Sequence, residues 1–176
     1  MEHTKSTWSI DPDHSEIQFK VKHLAISNIA GTFKIFKGDV ISPNEDFDNA
    51  EISLEIDTDS IDTNHEIRDG HLKTEEFFNT PQFPQITFSG LLQKQSGKYE
   101  LTGNLTIRQN TLPIVLDVEF TGTGKGRNGD TRAGFEVNGK INRKDYGLTW
   151  SMLTETGGLI IGEEIKLHFD IQLIKQ

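Results

Sequence analysis

Arg68-Asp69-Gly70-His71 gathers a guanidinium, a carboxylate and an imidazole into one short run, the side-chain types that general acid–base chemistry uses. The spacing works against that reading. Thr63-Asn64-His65-Glu66 reads as a capping box, with the Thr63 hydroxyl and the Glu66 carboxylate satisfying opposite orphan amides. A short helix to about Leu72 is therefore predicted, despite Gly70. On that helix Asp69 and His71 do not share a face, whereas Arg68 and Leu72 do. The expected role of Arg68 or Asp69 is structural, docking the helix across the end of a larger element, and no catalytic residue is assigned. The alternative is a hydrolase or isomerase acting on a lipid-like substrate through Asp69, His71 or His23. It would need a nucleophile beside its base, and no Gly-x-Ser-x-Gly motif is present.

The six histidines show no His-x-x-x-His spacing, so neither a metal nor another cofactor is expected. The run from Gly122 to Asp130 is rich in glycine but lacks the Gly-Lys-Ser/Thr ending of a phosphate cradle, and reads as a hairpin tip. With 27 acidic against 18 basic side chains, the net charge of −9 argues against nucleic acid as a partner and against electrostatic docking on an anionic membrane. Cysteine is absent, so disulfides and thiolate metal sites are excluded. No run of apolar residues is long enough to form an integral membrane segment. The first residues lack the apolar core of a signal peptide, which places the chain in the cytoplasm as written, or in the periplasm or outside the cell if the N-terminus is a processed start.

The elements that must position any site are strands. Ile17, Phe19 and Val21 alternate with charged or polar neighbours, and Ile165, Leu167, Phe169, Ile171 and Leu173 do the same at the far end of the chain. Alternation of this kind gives a sheet with one apolar and one wet face. Eight such strands are predicted, beginning near Glu16, Gly31, Ile52, Ile86, Tyr99, Leu112, Ala133 and Glu163, with a helical insertion at about residues 63–80. Pro81 and Pro84 end the insertion. A single all-β domain over residues 1–176 follows: an eight-stranded antiparallel barrel of lipocalin-like form, or a sandwich of equal strand count.

The motifs at Trp8-Ser9-Ile10-Asp11, His14-Ser15, Phe19 to Leu24 and Gly31-Thr32-Phe33 resemble the opening of the YceI-like family. The likeness continues through Arg68 to Leu72, Phe77-Phe78, Phe83 to Phe88, Gly103 to Ile107 and Ile141 to Leu148, and so covers almost the whole chain in order. The resemblance implies a lipocalin-like barrel that binds a polyisoprenoid, isoprenoid quinone or fatty amide and carries or sequesters it, without catalysis. It also implies pairing of chains as homodimers. Ile17, Phe19, Val21, Phe33, Ile35, Leu105, Ile107, Phe135, Val137, Leu167 and Phe169, all on apolar rows, are the expected pocket residues. Ser15 and His23 share the face of Ile17, and Arg143 continues the face of Ile141, so these three are the candidates for holding a polar head group.

Overall fold

A computed structural model describes residues 5–151 and 160–176. The strands are β1 (Ser6–Ile10), β2 (Glu16–His23), β3 (Ser27–Phe33), β4 (Phe36–Ser42), β5 (Ala50–Asp57) and β6 (Ile61–Asp62). After helix α1 (Glu66–Leu72) come β7 (Gln85–Gln95), β8 (Lys98–Ile107), β9 (Asn110–Lys125), β10 (Thr131–Asn142) and β11 (Ile161–Lys175). All pairings are antiparallel, in the order β1-β4-β5-β7-β8-β9-β10-β11, and β11 returns to β1. That return leaves no sheet edge in the ring, and the sandwich is excluded.

Eight staves make the barrel because three of them are each broken in two. β11 pairs with β1 near its C-terminal end and with β2 along the rest, so β1 and β2 are one stave. β3 with β4, and β5 with β6, form the next two. The breaks fall side by side, at Asp11–Ser15, Lys34–Ile35 and Asp57–Ser60. Each inverts the alternation and so keeps the apolar row inward on both sides: Phe33 and Phe36 are both buried although three residues apart.

Polar groups hold the first break. Asp11 is buried, caps the turn by accepting from the Asp13 amide at 3.0 Å, and receives Arg132 Nη1 at 2.5 Å from β10. Arg132 also donates to Gln172 at 2.7 Å and to Asp130 at 2.8 Å, tying β10 and β11 to the turn. Desolvation is the largest influence on the Asp11 carboxyl and pushes its pKa up, but hydrogen bonds from Arg132, His14 and Asp13 outweigh it and hold the group below its ordinary value of 3.8. A carboxyl depressed in the folded state stabilises the fold above its unfolded pKa, and that contribution is lost as pH falls through the folded pKa. Asp11→Asn should lower stability at neutral pH and flatten the loss below about pH 4. Urea titrations at pH 7 and pH 3 would show this as a gap between variant and parent that shrinks in acid.

Candidate binding cavity

The inward rows do not fill the barrel. They enclose a cavity of about 210 Å³ whose lining is apolar apart from Gln18 and Arg143. Its floor is Phe47, from the loop between β4 and β5. This ring is 1 % exposed and packs on Trp8 and Phe135, each at 5.1 Å between centroids, and on Phe120 at 5.5 Å. Phe47 adopts a φ of +64°, a costly conformation for a phenylalanine, which the aromatic packing holds in place.

Ten of the eleven expected pocket residues line the cavity: Ile17, Phe19 and Val21 on β2, Phe33 on β3, Leu105 and Ile107 on β8, Phe135 and Val137 on β10, and Leu167 and Phe169 on β11. Phe19, Leu167 and Phe169 remain half-buried, because the face they present is the open bore. Gly31 sits opposite Phe19, and a β-carbon there would come within 2.4 Å of the ring. Ile35 is the exception. It stands in the break between β3 and β4, where parity inverts, and its side chain is 61 % exposed on the outer wall.

The opposite end is roofed by α1 and the chain that follows it. Leu72, Phe77 and Phe78 point into the cavity, with Leu148 and Ile161 beside them. The helix is fixed by Thr63, whose backbone amide donates to Asp69 at 2.9 Å and whose hydroxyl binds the same carboxylate. Arg68 Nε donates to the Thr63 hydroxyl at 2.8 Å, and Arg68 Nη2 to its carbonyl at 2.6 Å. The first two members of the Arg-Asp-Gly-His run are therefore a clamp, and His71 turns elsewhere, to Glu76, Phe77 and Trp150. Thr63 is spent on this clamp, so the helix cap passes to His65, whose ring nitrogen accepts from the Arg68 amide at 3.1 Å. Arg108, in the β8–β9 turn, donates to the carbonyls of Glu75, Phe77 and Gly147 at 3.2–3.4 Å and straps the roof to the wall.

The three polar candidates do not converge. The Ser15 hydroxyl lies at the first break, accepting from the Gln172 amide at 3.0 Å, and is outside the lining. His23 ends β2 opposite Ser27 and Ile161 and is also outside it. Arg143 does reach the cavity. It is 2 % exposed, and it donates to the carbonyls of Gly162 at 2.8 Å, Leu148 at 2.6 Å and Trp150 at 2.8 Å. Burial depresses the basicity of this guanidinium, with the Glu163 carboxylate opposing the effect.

The family model described as the YceI-like domain matches residues 8–173. The chain belongs to this family. A UPF0312 protein of Staphylococcus epidermidis is 38% identical over 162 residues, spanning 92% of this chain and 93% of the relative. Among solved structures, Burkholderia cenocepacia BcnA superposes with a TM-score of 0.80 at 20% identity, over 93% of this chain and 98% of its own. A polyisoprenoid binding domain from Saccharophagus degradans does so with a TM-score of 0.67 at 16% identity, over 96% and 98%.

Within this YceI-like barrel the resemblance motif Ile141 to Leu148 acquires a physical reason. Arg143 donates to the carbonyls of Leu148, Trp150, Ile161 and Gly162 at the top of the wall. Arg143→Ala would strand buried acceptors at about 1–3 kcal/mol each and should lower stability by several kcal/mol. Ile35→Ser, on the outer wall, should change it by no more than about 0.5 kcal/mol. Thermal and urea unfolding of the two variants beside the parent would test that contrast.

Proposed function

We propose that this protein binds one long-chain apolar lipid of polyisoprenoid, isoprenoid quinone or fatty amide type inside the barrel, and carries or sequesters it. The carrying observation is the shape and chemistry of the cavity. Its lining extends from Phe47 at the floor to Phe78 under the roof, while its volume is only about 210 Å³. A bore that long and slender suits a chain better than a compact molecule. It exceeds the roughly 150 Å³ apolar cavity known to accept benzene, and its half-buried side chains give the walls rotamer freedom to widen.

Hydrocarbon entering such a bore gains about 0.8 kcal/mol per methylene-sized unit, so several isoprene units need little help from polar contacts. Arg143 is the one cationic side chain among the described lining residues, and its donors are spent on the carbonyls of Gly162, Leu148, Trp150 and Ile161 and on the Ser151 hydroxyl, so it shapes the roofed end of the bore. The polyisoprenoid binding domain of Saccharophagus degradans shares the fold and agrees with this class of ligand.

Purified protein extracted with organic solvent and analysed by mass spectrometry should release a long-chain isoprenoid or fatty amide. Leu167→Trp, which places an indole in the empty bore, should fold at least as stably as the parent and lose that lipid. Extracts free of lipid from the parent protein, or a variant that retains the same lipid in full, would refute the reading.

A further inference from the structure

The cross-strand register sorts the charges on the outer wall in a way that a net charge of −9 conceals. On the face formed by β10, β11 and β2, Lys140 lies directly opposite Lys166, and Lys166 directly opposite Lys20. Four residues nearer the floor, about 13 Å along the strands, Glu136 lies opposite Asp170 and Asp170 opposite Glu16, with Glu119 extending the acidic row onto β9. Like charges placed directly opposite destabilise a sheet. Among the described residues only Lys140 of the three lysines is ion-paired, to Glu164 at 3.9 Å. The wall is thus acidic toward the floor and net basic toward the roofed end, where Glu163 and Glu164 are paired with Lys144 and Lys140 and, among the described residues, Lys20, Lys22 and Lys166 have no carboxylate partner.

The β2–β3 turn stands at the same roofed end, directly above Lys20 and Lys22. Its central residues, Leu24 and Ala25, have φ of +53° and +59°, and Ile26 beside them is 82 % exposed. Asn-Gly would hold this turn without strain. An apolar tip kept in a strained and solvated place needs a partner that takes greasy side chains out of water.

We propose that this end of the barrel docks on a bilayer bearing anionic phospholipid, with Leu24 and Ile26 entering the interface and Lys20, Lys166 and Lys140 facing the head groups. The proposal rests on the lipid-binding reading above and adds where cargo is exchanged. The acidic row orients the molecule, because it keeps the floor away from the same surface. Of the acidic side chains toward the roof, Glu66, Glu75 and Glu76 belong to α1 and the chain after it, whereas Glu163 and Glu164 on β11 are paired with Lys144 and Lys140, so the β2–β11 side makes the contact. A face-to-face pair of chains would also match the two rows, but that wall carries no apolar centre to hold one.

Sedimentation of the full chain with vesicles of phosphatidylcholine alone, or mixed with phosphatidylglycerol, tests the proposal. Binding is expected only to the mixed vesicles, and high salt should release it. Each Lys→Gln change in the row should weaken it about fivefold. The triple variant L24N/A25G/I26S relaxes the turn, so it should fold at least as well and yet lose about tenfold or more in binding. A dansyl-labelled fatty acid, added without vesicles, reads the cavity separately. Parent protein that takes up the probe but ignores mixed vesicles would overturn docking and leave the cavity reading standing. Failure to take up the probe would instead overturn the cavity reading. Vesicle binding unchanged by the turn and lysine variants, or concentration-dependent pairing of chains that the lysine variants abolish, would also overturn the docking surface.

Discussion

Closure of the sheet through β11 is the constraint on which the rest of the molecule depends. This fifteen-residue strand pairs along one side with β10 and on the other with both halves of the first stave, β1 and β2. Without that double pairing the ring would have two free edges, and the inward rows would face solvent. The register is equally demanding. A slip of one residue would turn Leu167 and Phe169 outward and bring Lys166 and His168 into the bore. The Asp11–Arg132–Gln172 group stands where β11 changes partner, so the polar network ties the joint at which one half of the stave gives way to the next.

A closed ring of eight strands permits either a filled or a hollow centre, and this one is hollow. A dry void of about 210 Å³ costs on the order of 5 kcal/mol by the cavity terms known from core truncations, which is comparable with the whole net stability of many domains. Larger side chains at Leu167 or Val137 would remove that cost. Their absence, together with an apolar lining that excludes any network of bound polar groups, is the energetic signature of a space kept for a guest. Phe47 makes the same point from the floor, since a strained loop is used to seal one end while the centre stays open.

Much of this was legible in the residues. Alternation marked eight staves and the faces of ten of the eleven expected pocket residues, because a half-buried strand must alternate. Helix spacing separated Asp69 from His71, and the structure uses Asp69 as a clamp. The misreadings have separate causes, the first being that periodicity assigns a face only while the strand is continuous. Ile35 follows Phe33 by two and looked inward, but the break at Lys34–Ile35 turns it out. Thr63 looked like the helix cap because the pattern fits, yet tertiary bonds from Arg68 and Asp69 claim it first. Phe47 and Arg108 carried no periodic signal at all. A lone phenylalanine among Asp46, Asp48 and Asn49 was the one available hint of the floor. Alternation also gives the face of a side chain and not its distance from the axis, so lining and packing residues look alike until coordinates separate them.

The two ends of the bore differ in what opening them would break. Displacing Phe47 uncovers a ring packed against three others, and loss of such a buried aromatic costs about 3–5 kcal/mol. The roof carries aromatic contacts too, Phe78 on Phe33 at 5.9 Å and Phe77 on Trp150 at 5.4 Å. Behind α1 the chain from Thr74 to Thr80 is bound to the wall by Arg108, which donates to the carbonyls of Glu75 at 3.3 Å and Phe77 at 3.2 Å, near the long limit for a good hydrogen bond. Bonds of this kind contribute about 1 kcal/mol net each, and water can replace them as they open. Local openings follow the weakest boundary of a fold. The roof is the end at which Arg143, the exposed β2–β3 turn and the lysine row are gathered. Rings and hydrogen bonds thus close both ends, for at the floor Tyr99 Oη donates to the Asp46 carbonyl at 2.6 Å and the Lys94 amide to the Asp48 carboxylate at 2.8 Å.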